Sequence, residues 1–121
     1  MCGPAGGGKT TFSVELAARR GLIVVHTDDF KDAPWDDVPS LVGRRLDELR
    51  DEAAVVLEGV RALSCVHHLG LAASVDEVWW CDRFPQKEGT AGMTQRQLDL
   101  LRQMARRLPS PRCTSGRRRP G

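Results

Sequence analysis

Near its amino terminus the chain carries a glycine-rich run, GPAGGGKT, with the spacing G-x-x-x-x-G-K-T. Glycines let a backbone fold tightly enough to point its N–H groups at a polyphosphate, and a following helix adds a favourable dipole. In such a loop Lys9 reaches the β- and γ-phosphates, and the Thr10 hydroxyl can ligate Mg²⁺. The residues predicted to contact a nucleotide are Gly3, Pro4, Ala5, Gly6, Gly7, Gly8, Lys9, Thr10 and Thr11.

Acidic residues follow three short apolar runs and could complete this site. Asp28 and Asp29 follow LIVVHT, Glu58 follows AAVVL, and Asp82 follows VWWC. In open parallel sheets, ligands bind beyond the carboxyl ends of the strands. A carboxylate at Asp28 suits accepting a proton from a hydroxyl that attacks the γ-phosphate. Asp82 instead looks like the magnesium-supporting acid of many nucleotide hydrolases.

Helical and strand patterns alternate along the chain and must position these residues. The apolar runs LIVV, AAVVL and VDEVWW are typical of short buried strands. The helical patterns cover Lys9 to Arg20, Val66 to Ala73 and Thr94 to about Arg107, and Val42, Leu46 and Leu49 mark the buried face of a further helix. Thr94 and Gln97 form a T-x-x-Q capping box that predicts the start of the last helix. This alternation predicts an α/β layered sandwich with a parallel sheet.

Composition places the chain among ordinary globular proteins. It has 121 residues, of which 40% are hydrophobic and 28% charged. No apolar run approaches the roughly 20 residues of a membrane-spanning helix, and the start does not resemble a signal peptide. The four cysteines have neither zinc-ligand nor disulfide-framework spacing. We therefore expect no membrane association and a cytoplasmic location.

The carboxyl-terminal part is much more basic than the rest. Residues 100–121 contain seven arginines and no acid, whereas residues 1–99 hold eleven basic and sixteen acidic residues. From Pro109 onward the chain is rich in Pro, Gly, Ser and Arg, which predicts a domain over 1–108 and a disordered tail over 109–121. Such a tail can bind nucleic acid through phosphates. Arginine makes up fifteen of the eighteen basic residues, as a GC-rich coding sequence would give, so the tail's charge also has an explanation without a partner.

The segments HTDDFK and VVLEGV, taken with the glycine-rich run, resemble the uridine kinase-like and related small-molecule kinases of the P-loop superfamily. In that family one strand ends in Asp-x-Phe and a later one in Glu-Gly, and the resemblance spans about Gly3 to Asp82. It implies a three-layer α/β/α sandwich that transfers the γ-phosphate of ATP, with Mg²⁺, to a hydroxyl of a small molecule. It also implies that Asp28 is the catalytic base, that Phe30 lies beside the acceptor, and that Glu58 supports magnesium or the acceptor.

The same resemblance implies features at the lid and at both ends of the chain. The family contributes arginines from a mobile lid, and Arg83 and Lys87 lie in a comparable loop, matching by position only. Family members also have a strand before the phosphate loop, where this chain has Met1 and Cys2, and a further strand after the lid helix, where it has the basic tail. The sequence thus predicts an incomplete or misbounded P-loop domain with its first strand missing or truncated.

Three functions remain open at this point. The main hypothesis is a kinase. In it Asp28 is the catalytic base, Arg83 is a lid residue, and Thr10 and Glu58 are the magnesium ligands. The second is an ATPase or GTPase that uses Asp82 as its magnesium acid. The third is a non-catalytic remnant that binds nucleotide or nucleic acid weakly.

Other polar and aromatic residues have more than one interpretation. His26 has no partner at a useful sequence spacing, which favours an ordinary strand-end histidine. Trp35 is typical of a packing residue but could contact a bound acceptor. Arg61 follows the Glu-Gly pair and suits either phosphate binding or a surface role.

Overall fold

A computed structural model of the chain describes residues 1–6, 8–82 and 88–114. Its helices are α1 (Lys9–Arg20), α2 (Val38–Leu49), α3 (Ala62–Leu69) and α4 (Ala91–Gln103), and its strands are β1 (Ile23–His26), β2 (Val55–Glu58), β3 (Trp79–Trp80) and β4 (Arg112–Cys113). Short 3₁₀ helices cover Thr27–Phe30, Trp35–Asp37 and Ala72–Ser74. The described part of the chain is mixed α/β with parallel strands, which confirms the coarse fold class predicted from the alternation.

The strands form two parallel pairs. In the first pair, β1 and β2 run in register from Ile23 opposite Val55 to His26 opposite Glu58. In the second pair, Trp79 of β3 lies opposite Arg112 of β4. Because β1 and β2 are in register to their last residues, His26 and Glu58 reach the same edge side by side.

Met1 and Cys2 lie between the two pairs and join them through backbone hydrogen bonds. The bonds run from Met1 N to Leu57 O (2.5 Å), from Gly59 N to Met1 O (3.3 Å), from Cys2 N to Trp79 O (3.0 Å) and from Cys81 N to Cys2 O (2.8 Å). Evenly spaced bonds of this kind are those of a parallel ladder. The hydrogen-bonded order is therefore β1, β2, Met1–Cys2, β3 and β4. In place of the strand predicted to be missing or truncated, two residues occupy the middle of this order.

Helix α1 has the predicted bounds, and its ends explain them. Gly8 before it and Gly21 after it both have left-handed backbone conformations, with φ of 90° and 68°. Gly21 donates its backbone N–H to Ala17 O, a bond that closes the last turn. Arg19 and Arg20 complement the negative end of the helix dipole. Helices α3 and α4 begin three to four residues earlier than predicted.

Two sequence predictions about the end of the chain are wrong. The capping box is not at the start of α4, because Thr94 and Gln97 lie inside a helix that begins at Ala91. The tail is not disordered from Pro109, because β4 pairs with β3 and the Thr114 N–H donates to Trp80 O at 3.1 Å. The rest of the tail, 115–121, lies outside the described residues.

Apolar side chains form two buried clusters and line a cavity. A cluster including Cys2, Leu63 and Trp80 fills the space below α3 and α4, and a second cluster of Val38, Val42 and Cys65 lies under α2. At the amino-terminal ends of the strands there is a cavity of about 430 Å³. It is lined mainly by apolar side chains, among them Met1, Val55, Val56, Leu63, Val78 and Trp79.

Candidate functional site

The glycine-rich loop connects the centre of the hydrogen-bonded order to α1. Gly3, Gly6 and Gly8 have φ of 135°, 79° and 90°, which side chains rarely allow. A Cβ on Gly3 would lie 2.5 Å from Cys81 O, so the loop packs too tightly there for any side chain. Gly7 lies outside the described residues. The loop thus enters α1 directly, so Lys9 and Thr10 form the first turn of the helix.

Lys9 is folded back onto its own loop. Its side chain is only 8% exposed, and Nζ donates to Pro4 O at 2.8 Å and to Gly3 O at 3.4 Å. Burial lowers the pKa of Lys9, and the nearby carboxylates of Glu58 and Asp28 partly oppose that shift. Glu58 and Asp28, the two acidic residues predicted to act in the kinase, therefore lie within electrostatic reach of this ammonium group.

Glu58 ends β2 as a buried carboxylate with two side-chain partners. It is 2% exposed, and its Oε1 lies 3.4 Å from the Thr10 hydroxyl and 2.6 Å from His26 Nδ1. Residues from α1, β1 and β2 thus meet at one carboxylate, where Thr10 and Glu58, the two residues expected to ligate magnesium, are adjacent. Sequence reasoning missed His26, whose partner lies 32 residues away on the neighbouring strand. The signal available in the sequence was that His26 and Glu58 both end predicted neighbouring strands.

Thr10 and Glu58 have the donor chemistry for a magnesium ion. Mg²⁺ prefers oxygen ligands and is usually held by one or two protein groups together with waters and substrate phosphates. The hydroxyl of Thr10 and the carboxylate of Glu58 supply two adjacent oxygens beside the glycine-rich loop. Over residues 1–6, 8–82 and 88–114 there is no cluster of three or more His, Cys, Asp or Glu that could hold a metal. The residues present therefore fit an ion that arrives with phosphates, rather than an all-protein metal cage.

Two aspartates follow β1, just beyond the strand edge that carries His26 and Glu58. Asp28 and Asp29 belong to the 3₁₀ helix Thr27–Phe30, and both are exposed. Phe30, at the end of that turn, packs against the apolar cluster under α2. The partly buried ring anchors the turn, while the carboxylates ahead of it are exposed.

Arg61 and Trp35 lie together, on segments that follow β2 and β1. The Arg61 guanidinium carbon is 4.3 Å from the centroid of the Trp35 ring, within cation–π distance. Trp35 is 49% exposed. The buried Nη1 of Arg61 has no hydrogen-bond partner among the residues described. This geometry leaves the stacked pair at the surface next to the segment that carries Asp28.

Of the remaining predicted residues, Asp82 is among those that the structure describes. The Asp82 backbone N–H donates to Thr114 Oγ1 at 3.3 Å, which places it beside β4. Burial, and after it the Asp82 carboxylate, raises the pKa of the Cys113 thiol. Arg83 and Lys87, the predicted lid residues, lie outside the described residues.

Gln97 is the second polar residue whose place sequence reasoning missed. It projects from α4, is 1% exposed, and contacts the backbone of Gly3 at the start of the glycine-rich loop. Its partner is 94 positions away in the sequence. The T-x-x-Q pattern that drew attention to Gln97 is unrelated to this contact.

Comparisons with protein-family models, with curated proteins and with solved structures each found no match for this chain. None of the helices in the described ranges is long and apolar enough to cross a membrane.

Proposed function

We propose that this protein is a phosphotransferase that moves the γ-phosphate of ATP to a hydroxyl of a small molecule. The observation that carries the proposal is the meeting of Lys9, Thr10 and Glu58 at the carboxyl ends of parallel strands. A buried cation and a hydroxyl in the first turn of a helix, facing a buried carboxylate, match what polyphosphate binding requires.

The fold we propose is the three-layer P-loop sandwich. Its support is the hydrogen-bonded order, in which Met1 and Cys2 occupy the middle and lead directly into the glycine-rich loop. A loop that leaves the centre of a parallel sheet has strands on both sides. The ends of those strands can then contribute acidic residues to the bound nucleotide.

The proposed roles follow from exposure and charge. Lys9 leaves Pro4 O and Gly3 O to neutralise phosphate oxygens, and Thr10 with Glu58 holds the magnesium ion. That ion, when bound, offsets negative charge on the phosphates. Asp28, which is exposed, accepts the proton of the acceptor hydroxyl as the hydroxyl oxygen bonds to the γ-phosphorus. The bond from that phosphorus to the β–γ bridging oxygen breaks, and ADP leaves.

The test is calorimetry with MgATP, combined with a transfer assay on candidate hydroxyl acceptors. We expect the wild-type chain to bind MgATP, Lys9→Ala to abolish binding, and Asp28→Asn to bind normally while losing transfer. Asp29→Asn is the matched control, because Asp29 is the adjacent exposed carboxylate and should be dispensable. Full transfer by Asp28→Asn would refute its assignment as the base.

Two other results would redirect the proposal. ATP consumption without a phosphorylated acceptor would favour a hydrolase, with Asp82 as the alternative acid. Salt-sensitive nucleic-acid binding without ATP affinity would favour a binding remnant. The tail's part in such binding is tested with a chain ending at Thr114, because that end preserves β4.

A further inference from the structure

Gln97 makes a two-point contact with one residue of the phosphate loop. Its Oε1 accepts the N–H of Gly3 at 2.9 Å, and its Nε2 donates to the C=O of Gly3, also at 2.9 Å. Nε2 also donates to Met93 O, within α4, at 3.3 Å. The side-chain amide is thus fully engaged, and two of its bonds fix the peptide groups on both sides of the Gly3 α-carbon.

The contact is made to the backbone of Gly3, which is buried and has a conformation that residues with side chains rarely adopt. Its φ of 135° and its close approach to Cys81 exclude a side chain. Lys9 Nζ shares the carbonyl of Gly3, at a longer distance of 3.4 Å. Gln97 therefore provides the shorter of the two bonds to an oxygen that Lys9 also holds.

We propose that Gln97 is a positioning residue that keeps the phosphate loop in shape when Lys9 moves to a bound polyphosphate. This inference rests on the proposed function, since it assumes that phosphates draw Lys9 away from Gly3 O. A buried carbonyl left without a donor opposes that movement, because an unsatisfied buried polar group is costly. With Gln97 in place, the Gly3 carbonyl keeps a donor after Lys9 leaves. Without Gln97, Lys9 is the remaining donor, and its release becomes less favourable.

The principal variant is Gln97→Met, which keeps the length of the side chain and removes both hydrogen bonds to Gly3 as well as the bond to Met93 O. We expect MgATP affinity to fall roughly tenfold or more, equivalent to about 1.4 kcal/mol. The affinity is measured by calorimetry well below the unfolding temperature of each variant. Gln103→Met is the matched control, because Gln103 is an exposed glutamine on the same helix. Its affinity should equal that of the wild type.

A second measurement needs no nucleotide and separates positioning from general loosening. Lys9 in the nucleotide-free protein is labelled with an amine-acetylating reagent, and exposed Lys31 is the internal reference. If Gln97→Met leaves Lys9 as the sole donor to Gly3 O, acetylation of Lys9 should slow at least threefold. A merely structural role predicts the opposite, because a loosened loop exposes Lys9 and accelerates its acetylation.

Gln97→Glu covers the case in which the methionine variant does not fold. Its carboxylate still accepts the Gly3 N–H but offers no donor to the Gly3 carbonyl, so both effects should appear in the same direction. Unchanged MgATP affinity, or faster acetylation of Lys9, in a folded variant would overturn the proposal. If the wild type binds no MgATP, the proposed function fails. The acetylation rates still decide whether Gln97 affects how readily Lys9 leaves the Gly3 carbonyl.

Discussion

The two ends of the parallel strands are built in different ways. At the carboxyl ends, Lys9, Glu58 and Gln97 are buried polar side chains, and each has partners within hydrogen-bond distance. At the amino ends, apolar side chains such as Val56 and Val78 surround a cavity of about 430 Å³. Hydrogen bonds hold the carboxyl ends of the strands, whereas the amino ends tolerate unfilled space.

This difference reflects what each kind of group loses when it lacks a neighbour. A buried polar atom without a partner costs about 1–3 kcal/mol, so the polar end has little freedom in its geometry. An apolar wall without a neighbour loses only weak dispersion contacts, each about 0.1–0.2 kcal/mol. The polar end should therefore respond sharply to small changes, whereas the apolar end should accept added volume.

The largest effect is expected from Gly3→Ala at the polar end. The new methyl group would meet the Cys81 backbone at 2.5 Å, in a backbone conformation that L-residues rarely adopt. We expect a loss of more than about 4 kcal/mol in the free energy of unfolding, measured by urea titration. Gly92→Ala is the control, because nothing lies within 4 Å of that helical position and alanine favours helix by about 1 kcal/mol. Equal stability of the two variants would contradict tight packing of the loop.

An intermediate effect is expected from Glu58→Gln. This change keeps the side-chain volume but removes the charge beside Lys9 and one acceptor of the carboxylate shared by Thr10 and His26. The free energy of unfolding should fall by about 1–3 kcal/mol in a urea titration. The same change at Glu48, which forms an exposed ion pair with Arg45, should cost less than about 0.5 kcal/mol. A loss at Glu48 as large as that at Glu58 would argue against a special role for burial.

The smallest effect is expected from Val56→Ile, which adds one methylene at the wall of the cavity. Filling that space should stabilise the protein by up to about 0.8 kcal/mol, seen as a higher thermal midpoint. The same substitution at Val42 tests the contrast, because Val42 is fully buried in the cluster under α2 and does not line the cavity. There the added methylene should cost about 1–3 kcal/mol. Destabilisation of similar size at both positions would mean that the cavity wall is as rigid as the closed cluster.

Sequence reasoning succeeded where the determining contacts are local or follow from strand ends. Helix α1 was predicted with its observed bounds, because glycines mark both of its ends and its pattern is regular. The pairing of Thr10 with Glu58 was also within reach, since the loop and the strand end had to share one edge of a parallel sheet.

Other features depend on contacts that no local pattern encodes. Gln97 lies in a sequence that resembles a helix cap, yet its partner Gly3 is 94 residues away. Strand β4 is only two residues long and is surrounded by polar residues and prolines, so it carries no apolar signature. Met1 and Cys2 are too few to predict a strand, and their place became visible only through their bonds to the strands on both sides.

The burial of Cys2 gives the protein an intrinsic reporter of local opening. Its thiol lies at the centre of the hydrogen-bonded order, is 1% exposed, and has a pKa raised to about 11 by burial. Because the thiolate is the reactive form, an alkylating reagent modifies this cysteine only when the strands around it separate. The alkylation rate of Cys2, compared with that of the partly exposed Cys113, therefore measures how often the centre of the sheet opens in the native state.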